Sequence, residues 1–147
     1  MTQWGGAARP RVLVVDDDPA IVELITTRLE LAGYRAFSAR NGQQGITRVA
    51  EVHPAALILD INMPGLDGFE VLRRLRRSGH LARLPTMVLT ARNQPEDVRL
   101  AIELGARDYL AKPFNDQNFL TRVARLLRQP RAGSAGSPPP DDGRLAL

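Results

Sequence analysis

The chain has 147 residues, 44% of them hydrophobic and 24% charged, with a formal net charge of +4; this suits one globular domain with a real core. It has no Cys and only two His, His53 and His80, which excludes disulfides and thiolate metal sites and argues against a His-based one. No apolar run approaches the roughly 20 residues of a membrane helix, and the opening MTQWGGAARPR lacks the apolar core of a secretory signal, so a cytoplasmic location without a membrane partner is expected.

The basic balance, with a pI near 10.6, points only weakly to nucleic acid. Arg73, Arg74, Arg76 and Arg77 read better as a solvated helix face. The cations are nineteen Arg and a single Lys, Lys112. Where a charge merely keeps the surface wet, this chain uses Arg, so the lone Lys marks a place where a compact ammonium matters.

Residues 1–10 read as a flexible leader and Arg11–Val15, apolar and β-branched, as a first strand ending in Asp16, Asp17 and Asp18. Asp18 caps a helix with Pro19 at its first position; Ile21, Val22, Ile25 and Leu29 recur at helical spacing, and Gly33 closes the helix. Tyr34–Ala39 reads as a second strand. Asn41-Gly42 opens a helix through Val52 with Ile46, Val49 and Ala50 inward. Ala55–Asp60 is a buried third strand that stops at a carboxylate. Asp67-Gly68 begins a helix with Val71, Leu72 and Leu75 on one face. Leu84–Thr90 is a fourth strand, and Gln94-Pro95-Glu96 starts a helix carrying Val98, Ala101, Ile102 and Leu104 to Gly105. Asp108–Ala111 is a short fifth strand. Asn115 or Asp116 caps a last helix striped by Phe119, Leu120, Val123, Leu126 and Leu127.

Strict strand–helix alternation predicts an α/β domain over residues 11–129: a doubly wound, five-stranded parallel sheet, (βα)5, in the order 2-1-3-4-5. From 130 to 147 Pro, Gly and Ser dominate, the composition of a linker. Either the chain is one domain of a longer protein, or it is a stand-alone domain with a frayed tail.

In this topology ligands bind at the carboxyl ends of the strands. Those ends carry Asp16 and Asp17, Asp60, Thr90 and Lys112. Clustered carboxylates repel one another, and a divalent cation relieves the repulsion. Oxygen ligands in an incomplete cage suit Mg2+, with the backbone carbonyl of Asn62 able to complete the set. Lys112 and the Thr90 hydroxyl then suit a phosphoryl group, and an Asp in such a pocket can be the nucleophile that becomes an aspartyl phosphate. Taken singly each residue has a plainer explanation, as a turn, cap or surface charge; the agreement of five at one crevice favours the site.

Four motifs, VLVVDDDP at 12–19, LILDINMPGLDGFEVL at 57–72, VLTA at 88–91 and GARDYLAKPF at 105–114, together resemble a response-regulator receiver domain of two-component signalling, with its flavodoxin-like, CheY-like fold, over about residues 10–129. The resemblance implies that Asp60 accepts a phosphoryl group from a histidine kinase and that Asp17, Asp60 and the Asn62 carbonyl hold Mg2+, with Asp16 acting mainly through a metal-bound water. Thr90 and Lys112 would contact phosphoryl oxygens, Tyr109 would be the switch aromatic that turns as Thr90 moves, and the Lys112–Pro113 bond would be cis. Ala91 leaves room at the phosphoryl group, Met63-Pro64-Gly65 shapes the loop after Asp60, and Asn62 and Arg92 stand where this family tunes the access of water. No enzymatic turnover beyond self-catalysed transfer and autodephosphorylation is implied.

Asp108 and Arg122 match positions that form an intermolecular salt bridge in the winged-helix class of DNA-binding regulators, although Arg107 stands where that class has a second Asp and Val98 where it has a basic residue. The tail PPPDDGRLAL resembles that class's linker and the opening strand of its DNA-binding domain. The expectation is the receiver half of a transcription factor that dimerises on phosphorylation and meets DNA only through a further domain. A stand-alone receiver acting on a protein partner is the alternative. A phosphatase with an Asp nucleophile is disfavoured because Asn62 occupies the position of its general acid. A flavin module is disfavoured because three acids would repel its phosphate.

Overall fold

The computed structural model describes residues 8–128; residues 1–7 of the expected leader and the expected tail lie outside them. Five strands alternate with five α-helices: β1 Arg11–Val15, α1 Pro19–Leu31, β2 Arg35–Ala39, α2 Gly42–Val52, β3 Ala56–Leu59, α3 Gly68–Arg77, β4 Thr86–Thr90, α4 Pro95–Glu103, β5 Asp108–Ala111 and α5 Asp116–Arg128. The strands form one parallel sheet in the order β2-β1-β3-β4-β5, as the alternation requires.

Successive strand residues face opposite sides, and both sides are covered. Leu13, Val15, Leu57, Leu59 and Val88 pack with Val49 of α2, Val71, Leu72 and Leu75 of α3 and Ala101 of α4. Val12, Val14, Ile58, Met87 and Leu89 pack with Ile25 and Leu29 of α1 and Phe119, Val123 and Leu126 of α5. Unbroken apolar runs in β1, β3 and β4 are what burial on two faces demands. Each fully buried Leu stabilises the fold by about 1.5–3 kcal/mol, and truncating Leu72 to Ala would remove about 2–5 kcal/mol.

The helix starts are built as their sequences dictate. Asp18, Asn41 and Asp67 accept hydrogen bonds from the amides of Ala20, Gln44 and Glu70 at 2.8–2.9 Å. Asn115 caps α5, accepting from Asn118 N at 2.7 Å, while Asp116 is its first residue and pairs with Arg28 of α1. Gly33 and Gly65 take positive φ, at 99° and 77°.

Several expectations need adjusting. Tyr34, Ala55 and Asp60 flank the strands rather than belonging to them. Leu84 closes a 3-10 turn over Leu81–Arg83 that the sequence reading missed, and Pro85, which has no N–H, accepts from Leu57 N at 2.9 Å without donating. In α2 the buried residues are Gly42, Gly45 and Val49, and Ala50 is exposed. Gly45 lets the helix approach Val15, which rotates Ala50 outward. In α4, Leu100 also packs on the core. Before β1, Pro10 O accepts from Arg35 N at 2.9 Å.

Candidate functional site

The site forms where β1, β3, β4 and β5 end. Asp16 follows β1; its Oδ1 accepts from Asp18 N at 3.0 Å, which turns the chain and fixes the carboxylate. Asp60 follows β3, and its amide still donates to Val15 O at 2.9 Å, so the ladder sets its position. The loop after Asp60 is pressed against the start of α3: Gly68 N donates to Ile61 O at 2.9 Å, and a Cβ on Gly68 would lie 2.3 Å from Asp60 O. Thr90, fully buried, ends β4, and its carbonyl accepts from Lys112 N at 2.9 Å. The Lys112–Pro113 peptide is cis, as the resemblance implied.

These elements bring together most of the residues expected from the sequence. Ligand oxygens of Asp16, Asp17 and Asp60 lie within 4.8 Å of one another. Asp16 and Asp60 are buried and Asp17 is half-buried. Lys112 Nζ sits 2.6 Å from Asp16 Oδ2 and 3.4 Å from Asp60 Oδ2. The ammonium is thus engaged mainly by Asp16. One cation facing three carboxylates leaves a net negative pocket whose donors are all oxygen, which fits a hard divalent cation.

The electrostatics follow from this packing. Burial raises the Asp60 carboxyl above its ordinary range; Lys112 and a hydrogen bond with Thr90 pull it down, Asp16 pushes it up and the Asn62 amide lowers it, leaving a net rise. Burial works against the Lys112 ammonium, but its hydrogen bond to Asp16 and the charges of Asp60 and Asp16 outweigh burial and raise its pKa. The first shift marks a carboxylate whose burial Lys112 offsets only in part, and the second an ammonium that two carboxylates compensate fully.

A second group of residues lies beside this cluster, joined to it through Asn62. The Arg92 guanidinium donates to Asp97 Oδ1 at 2.7 Å and to Asn62 Oδ1 at 3.4 Å, and lies 5.4 Å from the centroid of the Phe69 ring. The Arg92 carbonyl accepts from the Tyr109 hydroxyl at 2.5 Å. Tyr109 is therefore buried, with its hydroxyl held at the loop between β4 and α4. Burial, reinforced by Asp97, pushes its phenol up to about 12. Sequence reasoning missed Asp97. An acid in the first turn of a helix after Pro95 reads as an ordinary helix-end charge, and its burial was the only distinguishing sign.

Asp108 and Arg122 meet within the chain. Arg122 donates to Asp108 Oδ1 at 2.5 Å, and the same oxygen accepts from Tyr109 N at 2.8 Å. Among the described residues no helix is long and apolar enough to cross a membrane.

A doubly wound five-stranded sheet with an acidic crevice and a single ammonium at its carboxyl edge defines the class to which flavodoxin-like signalling domains belong. Within that class the chain belongs to the response regulator receiver domain family, whose family model matches residues 12–124. It is 42% identical over 120 residues to the DNA-binding dual master transcriptional regulator RpaA of Synechocystis sp., covering 82% of this chain and 50% of that protein. It is 41% identical to the response regulator MprA of Mycolicibacterium vanbaalenii, covering 90% and 53%. Among solved structures, chemotaxis protein CheY4 of Vibrio cholerae superposes with a TM-score of 0.77 at 30% identity, over 81% of this chain and 99% of that one. The BeF3-activated receiver domain of Klebsiella pneumoniae RstA does so at 0.75 and 29%, over 81% and 99%. The chain spans about half the length of the curated relatives it matches. Receivers of this family are signalling phosphoacceptors rather than classical enzymes, interact with histidine kinases and bind Mg2+ at an acidic Asp cluster.

Proposed function

We propose that this receiver is switched by phosphoryl transfer to Asp60. The observation that carries the reading is the burial of Asp60 among Asp16, Asp17 and Lys112 at the end of β3. In the transfer, an Asp60 carboxylate oxygen attacks phosphorus, the P–N bond of a kinase phosphohistidine breaks, and the leaving imidazole retains the electron pair and takes up a proton. Asp17, Asp60 and the Asn62 carbonyl would hold Mg2+, with Asp16 alongside; the ion supplies neutralisation of charge on the transferring group. Lys112, already 3.4 Å from Asp60 Oδ2, pairs with a phosphoryl oxygen once its bond to Asp16 loosens. Thr90 donates its hydroxyl to another. Tyr109, bound to the Arg92 carbonyl, reports the loop position, so the population of its inward state is what phosphorylation biases.

The output follows from the relatives, whose names describe transcriptional regulators. The same reading here is control of transcription through a DNA-binding domain beyond this stretch of chain, with dimerisation across the surface of α4, β5 and α5 that carries Asp108 and Arg122. One observation favours the second reading, a receiver acting directly on a protein partner: Asp108 and Arg122 are already satisfied within one chain.

Incubation with Mg2+ and acetyl phosphate, followed by intact-mass measurement, tests the primary step. A single phosphoryl adduct that Asp60→Asn abolishes is expected. No adduct, or steady release of phosphate from many monoesters, refutes it. Sedimentation with and without beryllofluoride separates the outputs: a dimer on activation supports the first, an unchanged monomer the second.

A further inference from the structure

Arg92 lies two residues beyond Thr90, on the loop from β4 to α4, and makes four hydrogen bonds besides its contact with the Phe69 ring. Its amide donates to Thr90 Oγ1 at 3.3 Å and its carbonyl accepts from Tyr109 at 2.5 Å. Its guanidinium reaches Asn62, two residues past Asp60, at 3.4 Å, and Asp97 of α4 at 2.7 Å. Of these four hydrogen bonds only the one with Asp97 joins two full charges. The Asp97 side chain is 11% exposed and that of Arg92 42%. Asp97 is thus the buried member of the pair, near the start of α4, and Arg92 the more exposed one.

The alternative role for Asp97, a helix-end charge, does not require this geometry. Glu96 occupies the same first turn of α4 and is exposed, so the helix end already has a solvated acid. Asp97 instead commits its carboxylate to one guanidinium, which also reaches Asn62, two residues past Asp60. A short charge-assisted bond of this kind constrains direction as well as distance.

We propose that Asp97 is a positioning residue: through Arg92 it closes the mouth of the Asp60 crevice across Asn62 and seats the Arg92 carbonyl under the Tyr109 hydroxyl. The inference rests on the phosphoacceptor reading of Asp60. Its consequence is kinetic. Hydrolysis of the acyl phosphate needs a water to attack phosphorus in line while the bond from phosphorus to the Asp60 oxygen breaks, yielding inorganic phosphate and the free carboxylate. A guanidinium pinned across Asn62 obstructs that approach. Releasing it opens the mouth and loosens Tyr109 together, because one residue serves both contacts.

The test uses the full chain labelled with 3-fluorotyrosine, whose two resonances belong to the two tyrosines, Tyr34 and Tyr109; Tyr109→Phe assigns them. Chains loaded with Mg2+ and acetyl phosphate are freed of donor, and loss of the adduct is followed by intact mass. Asp97→Asn and Asp97→Ala are expected to shorten the adduct's lifetime by about three- to tenfold, the loss of one charge-assisted contact. Asp97→Glu is expected to lie nearer the native chain than Asp97→Ala does. The Tyr109 resonance is expected to shift toward that of a solvent-exposed tyrosine in Asp97→Ala. Lifetimes within twofold of the native chain, or an unmoved Tyr109 resonance, overturn the proposal. If Asp97→Ala fails to fold, Asp97→Asn, which keeps the side chain's size and removes only its charge, is read instead; the same shortening supports the role and an unchanged lifetime overturns it. Absence of any adduct on the native chain is a different result: it removes the phosphoacceptor reading itself, and this role with it.

Discussion

Replacing Lys112 by Met keeps most of the apolar stem and removes the ammonium. In the native chain Nζ lies 2.6 Å from Asp16 and 3.4 Å from Asp60, and the side chains of all three residues are at most 17% exposed. The variant leaves two buried carboxylates without a cation. Removing one partner of a buried pair costs about 3–5 kcal/mol, and the partial exposure of Lys112 favours the lower end. At about 3 °C per kcal/mol for a chain of this size, the melting temperature should fall by about 10 °C at neutral pH in metal-free buffer.

The pH dependence of that loss distinguishes a charge effect from poor packing. Without Lys112, the strongest influence lowering the Asp60 pKa is gone, so the folded pKa of Asp60 rises further above its ordinary 3.8. A raised carboxyl pKa means stability that is present below the unfolded value and lost as pH climbs through the folded one. The gap between the native chain and Lys112→Met should therefore be small near pH 3 and widen toward neutrality. Lys112 itself has a raised pKa, so the native advantage should persist to about pH 10 and disappear only above the ammonium's ordinary range. Millimolar Mg2+ should restore part of the loss. Differential scanning calorimetry across pH reads all of this; a loss equal at pH 3 and pH 7 would refute the reasoning and point to packing.

Asp60→Asn should stabilise the metal-free chain, because it removes a carboxylate whose pKa the fold raises; the gain should be present at neutral pH, vanish below pH 4 or so and reverse when Mg2+ is added. Tyr109→Phe should lose about 1 kcal/mol at neutral pH with its bond to the Arg92 carbonyl. The native phenol, pushed up to about 12, should cost the native chain about 2–3 kcal/mol as pH rises from 10 toward 12, so urea midpoints of the two chains should cross in that window. Gly68→Ala should destabilise by about 2–3 kcal/mol, since its Cβ would meet Asp60 O at 2.3 Å and Ile61 Cα at 2.7 Å, both backbone. It should also slow adduct formation by displacing the Asp60 loop, as timed acetyl phosphate labelling would show.

What was legible in the sequence was whatever topology alone decides. Thr90 ends its strand and Asp16, Asp60 and Lys112 each directly follow one, and parallel strands of known order must bring their ends to one edge; no side-chain detail was needed. Asp18, Asn41 and Asp67 were legible as caps because capping is local. Ala50 was misplaced because a helical stripe read from composition does not know that Gly45 brings α2 close to Val15. The turn at Leu81–Arg83 stayed hidden because Pro85 and the apolar Leu84 read as the start of a strand. Asp97 and the inward seat of Tyr109 depend on a contact with Arg92, a partner set by tertiary packing between β4, α4 and β5.

The same packing bears on how a signal would leave the site. Asp108 is 5% exposed, and one of its oxygens serves both Arg122 and the amide of Tyr109. Pulling Arg122 away to bridge to another molecule would strand a buried carboxylate, an expensive step on its own. In a two-fold dimer, however, the exchange is reciprocal: each Asp108 that loses its own Arg122 gains the partner copy's, and no carboxylate is left uncompensated. Such an exchange disturbs the oxygen that also holds the amide of Tyr109, the residue whose hydroxyl is bound to Arg92. Under the proposed dimeric output, dimerisation and the seating of Tyr109 would then be one equilibrium read at two ends of the same residue, with Asp60 reaching it through Thr90 and Arg92.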